Sequence, residues 1–480
     1  MKIGYIPTRR NNFSVEAALF YKKKIRQIIE VISPEIVDLE DINSEGLLWK
    51  QADVPKVIEK MRREQVDALF FPHCNFGSEG VVGQVAAALN VPVLLYGPRD
   101  DAPALDGMRD RDSQCGLFAT GKVLRHHNVT FTYITNVAPD DMVFISGYEK
   151  FLRVVQVVKT VRNIRILQIG PRPTDFLSVM ANEAELMELF GVEVYPLTLS
   201  ELKSEMERCW TEERKNVEDV CTWIEKNYQG VGAKEEVPRR TFAKMKVAIQ
   251  NLAKKFQCNC ACIQCWSAMQ DELDIFPCAV NSMLADEGFP VACETDICGA
   301  ISALLIQAAT GNKKVHFLAD VTIRHPEKEN TELLWHCGAF PSKFAKHREY
   351  CRIDTAWDGK SQCGNCSWEL ENGDITLCRF DGDHGRYSLF LGEGKGINGP
   401  MTKGTYVWFE TENWPKWEHK LVQGPYIHHV AGTYGKVADV LLEACRYIKN
   451  LTPDPATPSR EQLEERYRMG LLKSYIKKVY

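Results

Sequence analysis

The sequence predicts an α/β protein. Two doubly wound domains, at residues 1–162 and 163–350, precede a β-rich C-terminal domain at 351–480 that closes in helices. Three observations carry this reading. Strand-like and helix-like apolar patterns alternate through the first 350 residues, the mark of parallel strands joined by crossover helices. From about Arg352, short strand-like runs are separated by glycine- and aspartate-rich turns, an antiparallel pattern of sandwich or barrel type. A chain of 480 residues is also too long for one ordinary core.

In the first domain, Lys2 to Ile6 reads as a buried strand and Val15–Ile32 as a helix. A strand at 68–71, a helix at Glu79–Leu89 and a strand at 91–95 continue the alternation. After a long helical stretch near 148–161 the pattern restarts, with a strand at 165–170 that ends at Gly170, a helix at 181–190 and a strand at 192–196. Segments 261–264 and 315–319 read as later strands of that second sheet. In the third domain, runs at 375–380, 387–391 and 405–409 are strands, and helices at 437–450 and 461–479 flank a proline-rich hinge.

Composition excludes several classes. A formal net charge of -5 shows no basic surplus for nucleic acid, and mixed charge gives no attraction to a membrane surface. The N-terminus carries no signal-peptide pattern, and apolar runs stay far below the ~20 residues that span a bilayer. A cytoplasmic protein is expected. The 17 cysteines, odd in number and scattered, form no disulfide framework. Cys258, Cys260 and Cys262 alternate as thiols on one face of a strand would, with Cys265 just beyond, and read as core thiols; Cys363 and Cys366 form a lone CxxC without a second pair. The glycine-rich stretch 392–396 lacks phosphate-loop spacing and reads as a surface hairpin loop.

The chemistry concentrates around Glu294, at the tip of a strand-like segment and just before an apolar helix. Asp320 ends the next strand-like run, and ligands of doubly wound sheets gather outside strand carboxyl ends. Far downstream, His428 and His429 stand together in a turn. Two carboxylates, an imidazole and water make an oxygen–nitrogen site suited to Mn²⁺ or Mg²⁺ rather than a thiolate zinc site. Acidic residues at strand ends also cap helices, and paired histidines in turns also pack or face solvent. Spacing leaves those readings standing.

Several segments, in one order along residues 1–450, resemble the L-fucose isomerase and L-arabinose isomerase families. They are Cys74-Asn75-Phe76-Gly77-Ser78-Glu79, Gly97-Pro98-Arg99-Asp100, Ile263-Gln264-Cys265-Trp266, Glu294-Thr295-Asp296-Ile297-Cys298-Gly299-Ala300, Phe317-Leu318-Ala319-Asp320-Val321, Leu334-Trp335-His336-Cys337-Gly338 and His428-His429-Val430-Ala431-Gly432. The resemblance implies two flavodoxin-like domains before the β-rich one, and a homo-oligomer, a trimer or hexamer. It implies metal ligation by Glu294, Asp320 and His429, with Mn²⁺ as the ion and Mg²⁺ or Co²⁺ as substitutes. The doubled histidine leaves the register between His428 and His429 open by one.

It also implies an aldose–ketose isomerase, in which Glu294 and Asp320 would do the acid–base work. Substrate contacts are expected from Arg9, where the family has a substrate arginine, and from Asn75, Gln264, Trp266, Trp335 and His428. The monosaccharide expected first is a hexose or deoxyhexose. A C6-modified anionic aldose such as sulfoquinovose is the alternative, and Arg9 or Arg10 would suit its charge. Two readings of other classes stand beside these: a metal-assisted hydrolase with the same side chains, and a non-enzymatic sugar-binding protein.

Overall fold

The computed structural model describes residues 1–33, 35–356 and 362–459, and the chain divides into two compact units, Met1–Lys159 and Thr160–Tyr480. The expected helix at 461–479 lies outside the described residues. No helix among the described residues is long and apolar enough to cross a membrane.

The first unit is built on five strands: β1 (Lys2–Tyr5), β2 (Glu35–Val37), β3 (Ala68–Pro72), β4 (Val93–Tyr96) and β5 (Thr132–Ile134). They stand in the order β2-β1-β3-β4-β5 and every pairing is parallel. That order is the flavodoxin-like one. β3 and β4 are buried along their whole length, which is why they read as unbroken apolar runs. The helix Val15–Ile32 starts where the Ser14 hydroxyl accepts the backbone N–H of Ala17 at 3.1 Å. It buries Ala18, Ile25 and Ile29, one stripe at helical spacing.

The second unit holds two sheets. β6 (Arg165–Ile169), β7 (Glu193–Leu197), β8 (Cys260–Ile263) and β9 (Val291–Ala292) form a parallel sheet in the order β7-β6-β8-β9. The other sheet runs from β10 (Phe317–Arg324) through β11 (Thr331–His336), β12 (Arg352–Thr355), β13 (Cys363–Glu369), β14 (Gly373–Asp383), β15 (Arg386–Ile397), β16 (Thr405–Glu410), β17 (His429–Tyr434) and β18 (Leu451–Pro455). Within it β16-β11-β10-β17-β14-β15 pair in sequence, and β15 pairs back onto β16. The six therefore close into a barrel, which removes their free edges. The core that fills it includes Phe317, Leu334, Ile375, Leu377, Phe390, Val407, Phe409 and Tyr434.

The helix Ile297–Ala309 is buried on every side except at Gln307, because it lies between layers. It touches β8 of the parallel sheet and β14 and β17 of the barrel. An apolar surface all round is the sequence mark of such a helix.

Two expectations need correction. Segment 315–319 does not continue the parallel sheet: it begins β10, an antiparallel barrel strand, and Asp320 lies inside that strand rather than at its end. A strand after an apolar helix looks alike in both settings, and only its partners decide. Residues 392–396 are not a hairpin loop but the middle of β15. Glycine is needed there for close packing, since a Cβ at Gly392 would meet the Trp417 ring at 2.4 Å and one at Gly394 the Phe409 ring at 2.5 Å.

Candidate functional site

The site lies in the second unit, where the end of β9 and the start of the buried helix face the barrel wall. β9 stops at Ala292, and a tight turn over Cys293–Thr295 follows. Glu294 and Thr295 both take left-handed backbone conformations, with φ of 53° and 57°. Such angles are costly for residues with a Cβ and cluster at functional sites. Asp296 then caps the helix, accepting the Gly299 N–H at 2.9 Å. Gly299 is required by this closeness, for a Cβ there would lie 2.5 Å from Asp296 Oδ2.

On the barrel side, Asp320 of β10 stands directly opposite His429 of β17 and opposite Trp335 of β11. Directly paired residues share a face of the sheet, so the wall presents acid, imidazole and indole side by side. Glu294, Asp296, Asp320, His336 and His429 line one small cavity of about 10 Å³. That is room for about one water-sized occupant.

A hydrogen-bond network fixes the imidazole. Asp296 is buried and forms a bidentate ion pair with the buried Arg379 of β14, with Nη2 to Oδ1 at 3.0 Å. Arg379 also bonds Asp381, Nε to Oδ2 at 2.9 Å. Burial alone would raise the Asp296 carboxyl, but Arg379 and His429 overcome it and hold it well below the usual carboxylate range. Asp296 is thus an anion that only accepts, so His429 Nδ1, 2.9 Å from Oδ2, must donate. The other ring nitrogen, Nε2, faces Asp320 with Oδ1 at 3.5 Å. Burial lowers the His429 pKa, yet Asp296 and Asp320 outweigh it and raise it overall. A carboxylate behind an imidazole whose far nitrogen faces a second carboxylate is how metal-ligating histidines are held.

Two oxygens around this cavity lack partners: Glu294 Oε2 and Asp320 Oδ1 are buried without a hydrogen bond. Buried carboxylate oxygens are rarely left so. Glu294 Oε1, in contrast, accepts from the Cys265 thiol at 3.3 Å and from Trp266 Nε1 at 3.2 Å. Burial first, and then Cys293, push the Glu294 carboxyl up to about 7. Oxygen and nitrogen donors such as those of Glu294, Asp320 and His429, all on this cavity, are of the kind that suits a hard divalent ion such as Mn²⁺ or Mg²⁺, and Co²⁺ accepts the same donors. Glu294 itself lies closer in ligand spacing to Cys265 and Cys293 than to the barrel pair.

The structure sorts the remaining candidates. Trp266 is partly exposed beside Glu294, and Phe176, in the loop after β6, lies 5.9 Å from it between ring centroids. Phe176 also stacks on His429 at 5.6 Å and meets His428 edge-on at 5.8 Å. Trp266, Phe176 and the exposed His428 thus form an aromatic rim over the buried carboxylates. One ligand atom each from Asp320, His428 and His429 lies within 4.8 Å of the others, but only His429 is oriented by a buried acid. Trp335 packs beside Leu333, Tyr406 and Trp408 and donates from Nε1 to the Lys403 carbonyl at 2.6 Å. Gln264 follows β8 and is half-buried, and a Cβ on Gly170 would meet its side chain at 2.8 Å.

Arg9 and Asn75 lie in the first unit. Arg9 is buried, grips Glu45 through Nε at 2.7 Å and Nη2 at 2.9 Å, and stacks on Trp49. Asn75 uses both ends of its amide on backbone: Oδ1 accepts from Arg10 and Gly77, and Nδ2 donates to the carbonyls of Arg10 and Ser14. Asn75 ties together the loops after β1 and β3, and Arg9 those after β1 and β2.

Sequence reasoning missed Asp296, Arg379, His336, Cys293 and Phe176. A signal existed for Arg379, an arginine amid the apolar run Leu377-Cys378-Arg379-Phe380, since buried guanidinium demands a buried acid. Phe176 left none.

Residues 4–162 match the family model described as "Fucose/sulfoquinovose isomerase, N-terminal domain", and residues 334–451 match "L-fucose isomerase, C-terminal domain". Proteins named sulfoquinovose isomerase from Priestia megaterium and Priestia aryabhattai are each 24% identical over 456 residues, covering 92% of this chain and 97% of theirs. One of the same name from Alkalicoccus urumqiensis is 23% identical over 407 residues, 84% of this chain and 87% of its own. With both domain models in place, and this cavity between the buried helix and the barrel wall, the chain belongs to the L-fucose isomerase-like family.

Proposed function

We propose that this protein is an aldose–ketose isomerase that requires a divalent metal ion, and that Glu294 and Asp320 are its acid–base pair. The observation that carries the proposal is the pair of buried, unpartnered oxygens, Glu294 Oε2 and Asp320 Oδ1, around one cavity with an oriented imidazole. Glu294, Asp320 and His429 would hold the ion. When bound, it would polarise the oxygens on C1 and C2 of the sugar and stabilise negative charge between them.

The chain's own groups supply the rest. Isomerisation moves a proton between C1 and C2 and another between their oxygens. A carboxyl pushed up to about 7, as in Glu294, both takes and returns a proton near neutral pH. Asp320 stands across the cavity as the second proton carrier. Asp296 holds His429 from behind, so Nε2 stays turned towards Asp320. The rim of Trp266, Phe176 and His428 offers flat apolar walls for a sugar and shields the carboxylates from bulk water.

For the substrate, the names of the relatives favour a hexose with a sulfonate at C6 over an unmodified deoxyhexose. The test is a screen of aldoses for ketose formation with Mn²⁺, including sulfoquinovose, L-fucose and L-arabinose. Conversion of sulfoquinovose to its ketose is expected. Glu294→Gln and Asp320→Asn should each lower kcat by at least about a hundredfold, in keeping with loss of a positioned acid–base group. Near-normal turnover in either variant sinks the assignment, and products of bond cleavage would mean a hydrolase.

A further inference from the structure

Glu294 also belongs to a second cluster of a different chemical character. Cys265, which follows β8, and Cys293, which opens the turn after β9, are both buried free thiols. Their sulfurs and a Glu294 carboxylate oxygen all lie within 4.8 Å of one another. Cys265 Sγ is 3.3 Å from Glu294 Oε1. Zinc–sulfur bonds of about 2.3 Å and zinc–oxygen bonds of about 2.0–2.2 Å in a tetrahedron put neighbouring ligand atoms roughly 3.5 Å apart. Cys265 and Glu294 are at that spacing, and Cys293 is within 4.8 Å of both.

The surroundings of both sulfurs point the same way. The Glu294 N–H donates to Cys265 Sγ at 3.3 Å, and Asn281 Nδ2 donates to Cys293 Sγ at 3.3 Å. His336 lines the cavity beside Cys293. The His336 Nδ1 accepts the Cys337 backbone N–H at 2.9 Å, so its proton sits on the other nitrogen. N–H groups aimed at sulfur are what surrounds metal-bound thiolate. His336 therefore belongs to the outer ring of the cluster and supplies no lone pair.

We propose that Cys265, Cys293 and Glu294 Oε1 form a binding site for a thiophilic divalent cation such as Zn²⁺ or Cd²⁺, distinct in its ligands from the hard-metal site and adjoining it, since Cys293 and Glu294 both line the same cavity. Softness sorts the two sites: two sulfurs on one side, oxygen and nitrogen from Asp320 and His429 on the other. Any proton still on either thiol leaves to solvent as the sulfur–metal bond forms, and a water in the adjoining cavity of about 10 Å³ would supply the fourth ligand. A cation in this site draws Glu294 towards the thiols. That consequence, loss of isomerase activity, rests on the role proposed for Glu294; the binding itself does not.

The experiment uses the full chain, reduced and stripped of metal, titrated with Co²⁺ as the optical probe. The expected result is a sulfur-to-cobalt charge-transfer band in the near ultraviolet, lost in Cys265→Ser and Cys293→Ser and kept in Asp320→Asn. Should a serine variant fail to fold, X-ray absorption of zinc on the unaltered chain reads the same thing: sulfur neighbours at about 2.3 Å. Cobalt bound without that band, a band unchanged in both serine variants, or zinc with oxygen and nitrogen neighbours only, overturns the site. A parallel assay adds zinc to the Mn²⁺-loaded enzyme. Sulfur-bound zinc with undiminished turnover would leave the site standing and instead overturn the role of Glu294.

Discussion

The Asp296→Asn substitution tests the link between the buried ion pair and the metal-binding imidazole. Four donors converge on the Asp296 oxygens. Gly299 N–H and Arg379 Nη2 reach Oδ1, while Arg379 Nη1 and His429 Nδ1 reach Oδ2. An amide replaces one oxygen by an NH₂ group, and whichever way it is turned that group meets two donors. With the NH₂ towards His429, the ring can keep a bond only by accepting at Nδ1. Its proton then moves to Nε2, and the lone pair facing Asp320 is lost. With the NH₂ towards Gly299, the helix cap and half of the Arg379 pair are lost. Removing the carboxylate behind a metal-bound histidine typically weakens metal binding about 10–100-fold, which is about 1.4–2.7 kcal/mol. Leaving a buried guanidinium with Asp381 alone should cost about 3 kcal/mol of stability, the low end for a broken buried pair. The assays are titration of metal-free protein with Mn²⁺, followed by the resonance signal of the free ion, and urea unfolding. Asp381→Asn is the control, because Asp381 touches Arg379 and not His429; it should lower stability and leave the Mn²⁺ Kd within about threefold. An Asp296→Asn protein with the unaltered Kd would refute the orientation argument.

In metal-free protein, Glu294 should make stability fall as pH rises. Its folded pKa, about 7, lies above its ordinary value of 4.5. The stabilisation it contributes is whole below about pH 4.5 and is lost as pH climbs to 7, a change of about 3 kcal/mol at 1.36 kcal/mol per unit. Thermal unfolding of the unaltered chain and of Glu294→Gln across that window checks this, and parallel pH profiles for the two would contradict it. Mn²⁺ at a hundredfold excess over its Kd should stabilise the folded chain by about 2.7 kcal/mol. Asp320→Asn should lose most of that gain, and an equal rise in Tm for both proteins would place the ion elsewhere.

The parallel strands of the first unit were legible because β3 and β4 are apolar on both faces, and the period of the pattern reports burial. The edge strands β2 and β5, three residues each, were not, since so short a run carries no period. Glu294 could be placed at a strand tip because the apolar helix after it marks the boundary. Asp320 was assigned to the wrong sheet: β10 makes its bonds to β11 and β17, and a partner such as β17, more than a hundred residues away, leaves no trace in local spacing. Closure of the barrel through β15 and β16 was hidden for another reason: a pairing of neighbouring strands reads the same in an open sheet as in a barrel. Arg379 and Asp296 are 83 residues apart, and nothing in either neighbourhood names the other. Short-range patterns thus revealed which residues carry chemistry more readily than what holds them in place.

The way the site is divided explains why it can stay poised without a ligand. Glu294 belongs to the turn after the parallel sheet, whereas Asp320 and His429 belong to the barrel wall. Neither half fully satisfies its own carboxylate: Glu294 Oε2 and Asp320 Oδ1 make no hydrogen bond to either layer, and the latter only faces His429 Nε2 at 3.5 Å. An unmet buried polar group costs about 1–3 kcal/mol, more when charged, and a left-handed residue such as Glu294 adds about 1–3 kcal/mol. A chain selected only for stability would replace these oxygens with apolar groups or give them donors. The buried helix, twelve of whose residues are closed off from solvent, and the bidentate Asp296–Arg379 pair supply the rigidity that tolerates the mismatch. What the fold withholds from those two oxygens is a hydrogen-bond donor, and the divalent cation proposed between the layers would give both of them a partner at once.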